Sequence, residues 1–283
     1  MQIIRDLPTL RHASATARSD GRSDGRSGGR RLALVPTMGA LHQGHLALVA
    51  AARQAAETVV VSIFVNPLQF APTEDLSRYP RDEDGDLAKL RAAGCDLVWM
   101  PDVPTMYPPG SATRIEVAGP AEGFEGSARP DHFRGVATVC TKLFSQTQAD
   151  VAVFGEKDWQ QLQVVSRVAA DLDLPIRILG HPTVREADGL ACSSRNIRLT
   201  LDQRALAPLL PRLMQTALDT IRAGAAPPPV LARATQQLLE AGFAPDYLAL
   251  VQPETLAPWQ SGPGRLLAAA RLGEVRLLDN MAL

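Results

Sequence analysis

The sequence predicts an α/β protein: a parallel sheet wrapped by helices, followed by a smaller α+β unit. Three features predict it. Apolar runs of strand length alternate with helical segments between residues 32 and 179, the pattern of strand–helix–strand units. Two of the runs are continuous, Leu32–Val35 apolar and Thr58–Val65 β-branched, as strands buried on both faces should be. Near residue 184 the alternation gives way to a small, polar stretch that leads into helices and short strands. The boundary is set at about 183–185, giving domains 1–183 and 184–283.

Taken in order, Gln2 to Ala17 is a strand or helix lead-in with Ile3, Ile4, Leu7 and Leu10 facing a core. A four-residue repeat follows from Arg18 to Arg30, without an apolar side chain and rich in Gly and Ser. Such a composition cannot repay the entropy of ordering, so a flexible surface loop is expected, with phosphate binding by its arginines as the alternative. Leu32–Val35 is a strand, and His42 onward resumes as an Ala/Leu-rich helix. Thr58–Val65 is the next strand and ends at Asn66-Pro67-Leu68-Gln69. Helix is expected at Leu87–Ala93, strand at Asp96–Met100, helix at Gly135–Gln148, strand at Val151–Phe154, helix at Gln160–Leu172 and strand at Ile176–Leu179. In the second part the expectation is a helix from Asp202 to about Ala223, a linker Gly224–Pro229 and a helix Leu231–Ala241. Three short strands follow near Tyr247–Val251, Leu266–Ala270 and Val275–Leu278.

Length and composition bound the function. The chain has 283 residues, 46% of them hydrophobic and 21% charged, with a formal net charge of −1. That balance suits a globular protein with one large or two modest domains and implies no general affinity for nucleic acid or anionic membrane. No apolar run approaches the ~20 residues of a membrane span, and no signal pattern opens the chain. Cys95, Cys140 and Cys192 have no CxxC spacing and are expected as reduced thiols of a cytoplasmic protein.

The stretch from Leu32 to Val49 organises the rest. A buried strand breaks at Pro36, passes through Thr37-Met38-Gly39-Ala40-Leu41, and enters a helix at His42-Gln43-Gly44-His45. Free N–H groups at a helix start can hold an anion, and Gly44 leaves room for a flat ligand near the backbone. His-x-Gly-His after a buried strand resembles the signature of nucleotidyltransferases that activate a carboxylate or phosphate with a nucleoside triphosphate. Two histidines three apart could instead be a metal pair lacking a local third ligand, or ordinary capping residues.

Other polar clusters follow strands or the domain junction: Asn66–Gln69, Gly155–Gln161 and Ser193–Arg195. Gly155-Glu156-Lys157-Asp158 alone could be a charged loop, and Ser193-Ser194-Arg195 is also a helix-cap composition. Together, the cations of Lys157 and Arg195, the hydroxyls of Ser193 and Ser194 and imidazole donors can hold a triphosphate and meet transition-state charge. No side chain has the flanking sequence of a covalent nucleophile, so positioning and electrostatics should carry the reaction.

PTMGALHQGH (36–45), VSIFVNPLQF (61–70), FGEKDWQQL (154–162) and READGLACSSRN (185–196) resemble, in order, the segments of the pantoate–β-alanine ligase (pantothenate synthetase) family. Tyr79-Pro-Arg81, His132-Phe-Arg-Gly135 and the overall length add to it. The resemblance implies a Rossmann-like parallel sheet domain with a smaller C-terminal α+β domain closing over the active site, similar in fold to class I aminoacyl-tRNA synthetases, in a homodimer. It implies ATP-dependent condensation of pantoate with β-alanine through a pantoyl adenylate, with Mg²⁺ on the nucleotide. The partners implied are these small molecules, with neither nucleic acid nor membrane. Carried over by motif, ATP would be bound by Pro36, Met38, Gly39, Ala40, Leu41, His42, Gln43, Gly44 and His45. Gly155, Glu156, Lys157, Asp158, Val184, Cys192, Ser193, Ser194 and Arg195 would join them. His45, Lys157 and Arg195 would be catalytic. Gln69 and Gln161 would hold pantoate, with Gln69 also bordering β-alanine.

The chain departs from the family pattern in three places. Cys192 stands where methionine is usual, either as a reactive thiolate at the nucleotide or as an inert filler. Gly85 interrupts the acidic run Asp82–Asp86, so no metal ligand is assigned, and the Arg18–Arg30 repeat is long. Two rival functions remain: a nucleotidyltransferase with a stable nucleotide-linked product, which would lack the paired glutamines, and a nucleotide-binding regulator, against which Lys157, His45 and Arg195 argue.

Overall fold

The computed structural model describes residues 1–19, 31–70, 76 and 79–283. Two compact units emerge, Met1–Gly155 with Gln161–His181, and Glu156–Gln160 with Pro182–Leu283.

The first unit is built on six parallel strands: β1 (Gln2–Ile4), β2 (Leu32–Thr37), β3 (Thr58–Ile63), β4 (Leu97–Trp99), β5 (Val151–Gly155) and β6 (Arg177–His181). Their order is β1-β4-β3-β2-β5-β6, so the chain reverses its direction of travel across the sheet between β2 and β5. Open α/β sheets bind ligands outside the carboxyl ends of the strands at such a switch point. The helices are α1 (Leu7–Ser19), α2 (Gln43–Ala55), α3 (Glu83–Ala92), the short α4 (Val103–Met106) and α5 (Phe124–Ala128), α6 (His132–Thr147) and α7 (Trp159–Asp171). The first two residues of α7 group with the second unit.

The pleat explains the uninterrupted apolar strands. Ala33, Val35, Val59, Val61, Val98, Val151 and Val153 share one core with Leu48, Val49 and Ala52 of α2 and with Leu87 and Leu90 of α3. Alternate residues point to the other face, where α1 and α6 pack against β2. Leu32, Leu34 and Val60 are accordingly fully buried.

In the second unit, α8 (Leu201–Leu206), α9 (Leu209–Arg222) and α10 (Pro227–Glu240) precede the antiparallel sheet of β7 (Ala244–Val251), β8 (Arg265–Leu272) and β9 (Val275–Ala282). Leu210, Met214, Leu218 and Leu238 of α9 and α10 share a core with Leu266, Ala268, Ala270 and Leu277 of the sheet. Strands β8 and β9 meet through a two-residue turn at Gly273, φ +59°, a position of hairpin turns that glycine fills without strain.

Three expectations are corrected. Pro227–Pro229, read as linker, open α10, since a first helical turn needs no N–H from its prolines. The single helix expected from Asp202 breaks into α8 and α9 at Pro208, which has no N–H for the helical ladder. Arg18 and Ser19, the start of the repeat, close α1; the rest of the repeat, 20–30, lies outside the described residues. No helix among the described residues is long and apolar enough to cross a membrane.

Candidate active site

The loop after β2 is held by its backbone. Thr37 Oγ1 donates to the Ser62 carbonyl at 2.7 Å. Gly39 and Ala40 then take left-handed conformations, φ +83° and +52°, aiming successive N–H groups in one direction. The Ala40 and Leu41 N–H groups donate to the two carboxylate oxygens of Asp86, at 2.8 and 2.7 Å. Asp86 is 1% exposed and has Lys89 Nζ at 3.8 Å, so its buried charge is met by two N–H donors and a cation. A side chain at Gly39 would be strained by its φ and would stand 3.1 Å from Asp86.

Helix α2 begins with a reciprocal cap built from the two motif histidines. Nδ1 of His42, the N-cap residue, accepts the Gly44 N–H at 3.1 Å, and Nδ1 of His45 accepts the His42 N–H at 3.3 Å. The ring centroids are 4.1 Å apart. The two histidines are therefore capping residues, and the cap also sets which ring nitrogen carries the proton. With each Nδ1 used as an acceptor, the neutral ring carries its proton on Nε2. Both imidazoles are thus N–H donors placed at the positive end of a helix.

Gln69 sits in the 3-10 turn Pro67–Gln69 that follows β3 and is 7% exposed. Its Oε1 accepts from Asn66 Nδ2 at 3.0 Å, and its Nε2 lies 3.2 Å from Met38 Sδ. Its carbonyl accepts from His132 Nδ1 at 2.9 Å and from Arg129 at 3.3 Å. Gly135 of α6 is required here, because a Cβ would lie 2.3 Å from the Leu68 carbonyl oxygen. Pro36 lies at the end of β2, Gln43 and Gly44 in the first turn of α2, and Gln161 half-buried near the start of α7.

In the second unit, Glu156–Asp158 form a 3-10 turn whose Glu156 and Lys157 carbonyls both accept from Asn280 Nδ2, at 2.8 Å. Arg265 donates to Asn280 Oδ1 at 2.8 Å, pairs with Glu156 at 3.3 Å and lies 3.4 Å over the Trp159 ring. Burial lowers its pKa and Glu156 opposes that shift. Asp279 takes a bidentate pair from Arg185 at 2.7 and 2.8 Å. β8 and β9 therefore fix the backbone beneath Lys157, whose amine lies 3.6 Å from Asp158.

The Val184 carbonyl accepts the Cys192 N–H at 2.9 Å, Ser193 Oγ accepts the Arg195 N–H at 3.2 Å, and Ser194 stands between them. Asn196 pins this loop through Glu186 at 2.7 Å and the Ala191 carbonyl at 3.1 Å. Burial and the neighbouring Glu186 raise the Cys192 thiol pKa, against the pull of Lys157. Of the two alternatives for Cys192, this upward shift favours the inert filler over the reactive thiolate.

The sequence matches the family described as pantoate-beta-alanine ligase over residues 2–282. The chain belongs to the pantoate–β-alanine ligase family. It is 55% identical to a pantothenate synthetase of Acidiphilium cryptum (strain JF-5), over the whole of both chains. A crystal structure of pantothenate synthetase from Thermus thermophilus is similar with a TM-score of 0.90 and 46% identity, covering 99% of each chain. A Francisella tularensis pantoate-beta-alanine ligase, solved in complex with β-γ ATP and β-alanine, is similar with a TM-score of 0.80 and 29% identity over 99% of this chain and 97% of that one.

The supporting residues of this ligase escape a reading of the sequence. Asp86 reads there only as part of an acidic run, and His132 and Gly135 stand out only as a matching segment. Arg185 stands out only within another such segment. Arg265 and Asn280 lie more than a hundred residues from the turn they hold, Asp279 is similarly remote in sequence from its partner Arg185, and no local pattern signals such contacts.

Proposed function

We propose that this chain condenses pantoate with β-alanine at the expense of ATP, by way of pantoyl adenylate. A carboxylate oxygen of pantoate attacks the α-phosphorus, the bond to the bridging oxygen breaks, and pyrophosphate leaves. The β-alanine amine then attacks the acyl carbon, the C–O bond to AMP breaks, and the amine gives up a proton as the amide forms. The observation that carries this reading is the His42–His45 cap at the carboxyl end of a central strand, beside the switch point of the sheet. It presents Nε2–H donors where an ATP phosphate would gain negative charge.

In this reading Pro36, Met38 and the segment 39–45 bind the nucleotide. Gly155, Glu156, Asp158, Val184, Cys192, Ser193 and Ser194 also bind it, and His45, Lys157 and Arg195 act on the transferring phosphoryl. Gln69 and Gln161 hold pantoate with uncharged amides that add no charge beside its carboxylate. Mg²⁺ fits as an ion carried by the nucleotide. Among the described residues no three His, Cys, Asp or Glu side chains converge, so phosphates and water would hold it and would let it neutralise phosphate charge. A homodimer is the assembly the family resemblance supports, and three cysteines without CxxC spacing support a cytoplasmic location.

The test is product analysis with each substrate omitted in turn. Pantothenate, AMP and pyrophosphate should form together only when ATP, pantoate and β-alanine are all present. His45→Ala and Lys157→Ala should each slow single-turnover adenylation by about 10²–10³-fold, the usual cost of one preorganised donor, with far less effect on pantoate binding. Near-wild-type rates in both variants would remove these residues from the phosphoryl site.

A further inference from the structure

The side chain of Gln69 is not free to choose which end of its amide it shows to a ligand. Asn66, 1% exposed, accepts the Leu68 N–H at 3.2 Å and the Tyr107 hydroxyl at 2.8 Å on its Oδ1. Its Nδ2 donates to the Gly135 carbonyl at 3.1 Å. One backbone donor and one backbone acceptor, neither able to reverse roles, thus fix the direction of the Asn66 amide. The same Nδ2 lies 3.0 Å from Gln69, so the Gln69 atom facing it must be the oxygen. Gln69 is left with Nε2 as its outward end, resting 3.2 Å from the Met38 sulfur. A thioether is a weak acceptor, and an oxygen of higher charge density would displace it.

We infer that Tyr107 and Asn66 are positioning residues which lock Gln69 as a hydrogen-bond donor, so that it selects an oxygen acceptor such as the carboxylate or a hydroxyl lone pair of pantoate. The inference rests on the assignment of Gln69 to pantoate. The phenol is suited to its part: it stays protonated, because burial pushes its ionisation upward, and so it can always donate to Asn66. Its ring is held by Phe64, with centroids 6.0 Å apart, and by the Lys142 amine 5.9 Å from the ring centre.

Asn66→Asp tests the lock, because it replaces the Nδ2 donor with an oxygen. The Gln69 amide must then turn to donate inward and show its oxygen outward, where it repels a carboxylate. The expected result is a rise of at least about thirtyfold in the pantoate KM, with the ATP KM within about twofold of wild type. Tyr107→Phe keeps the ring and removes one neutral hydrogen bond, and should raise the pantoate KM by roughly three- to tenfold in the same selective manner. It decides the matter if Asn66→Asp does not fold. In wild-type protein labelled with ¹⁵N, the Gln69 side-chain amide resonance, assigned by its loss in Gln69→Glu, should move downfield on saturation with pantoate. An unchanged pantoate KM in the folded variants, equal rises in both KM values, or a still amide resonance would overturn the inference. Failure of the wild-type chain to make pantothenate would instead overturn the pantoate assignment itself, so the two failures are distinguishable.

Discussion

The histidines that cap a helix are the ones proposed to serve a phosphate, and the cap shows how one residue could do both. Nδ1 of His42 and of His45 each takes a backbone N–H, which puts the ring proton on the nitrogen that a phosphate can use. Cys192 illustrates the opposite case, a residue whose chemistry is muted by its surroundings. Burial and Glu186 raise its thiol pKa, so less of it is thiolate at neutral pH than for an ordinary cysteine. Iodoacetamide should therefore label Cys192 slowly at pH 7.5 and faster as the pH rises past 9, followed by peptide mapping, while Cys95 and Cys140 are buried. Labelling at pH 7.5 faster than that of a free thiol would contradict the upward shift. Cys192→Met should lower the ATP KM a few-fold, on the scale of about 0.8 kcal/mol per buried CH₂, and leave the pantoate KM unchanged.

At the scale of elements, the site depends on a close approach of α6 to the turn after β3. Gly135→Ala would drive a Cβ to 2.3 Å from the Leu68 carbonyl. Overpacking of this kind costs about 1–3 kcal/mol, to be read as a lower urea midpoint together with a raised pantoate KM. A variant with wild-type midpoint and KM would show that α6 yields without disturbing Gln69. The sequence makes these elements legible but not their supports. Continuous apolar runs announce β2, β3 and β5, because burial on both faces leaves no alternation to read, and polar side chains at their carboxyl ends mark the loops proposed to bind ligands. The role of Asp86 is not legible: its partners are backbone N–H groups of Ala40 and Leu41, which leave no residue-type signature. Pro227–Pro229 mislead for a related reason, since proline marks a linker and a helical first turn equally well until the following residues are packed.

For the molecule as a whole, the two buried thiols set an alkaline limit on stability. Burial raises Cys95 to about 11 and Cys140 to about 12, whereas unfolded thiols ionise near about 8.5. Between those values the folded chain holds protons that the unfolded chain has lost, so stability falls as pH rises. The contribution is fully present below about pH 8.5 and is lost as the pH climbs through the folded values. Urea midpoints should drop between pH 8 and 10.5, and Cys140→Val should shallow that drop; an identical pH slope in the variant would contradict it. Passage through pantoyl adenylate fixes the order of bonds made and broken, and isotope transfer tests that order most directly. With pantoate labelled by ¹⁸O in its carboxylate, complete turnover with ATP and β-alanine should leave one labelled oxygen in the phosphate of AMP, detected by mass spectrometry. Unlabelled AMP, or the label in inorganic phosphate alongside ADP, would contradict passage through pantoyl adenylate.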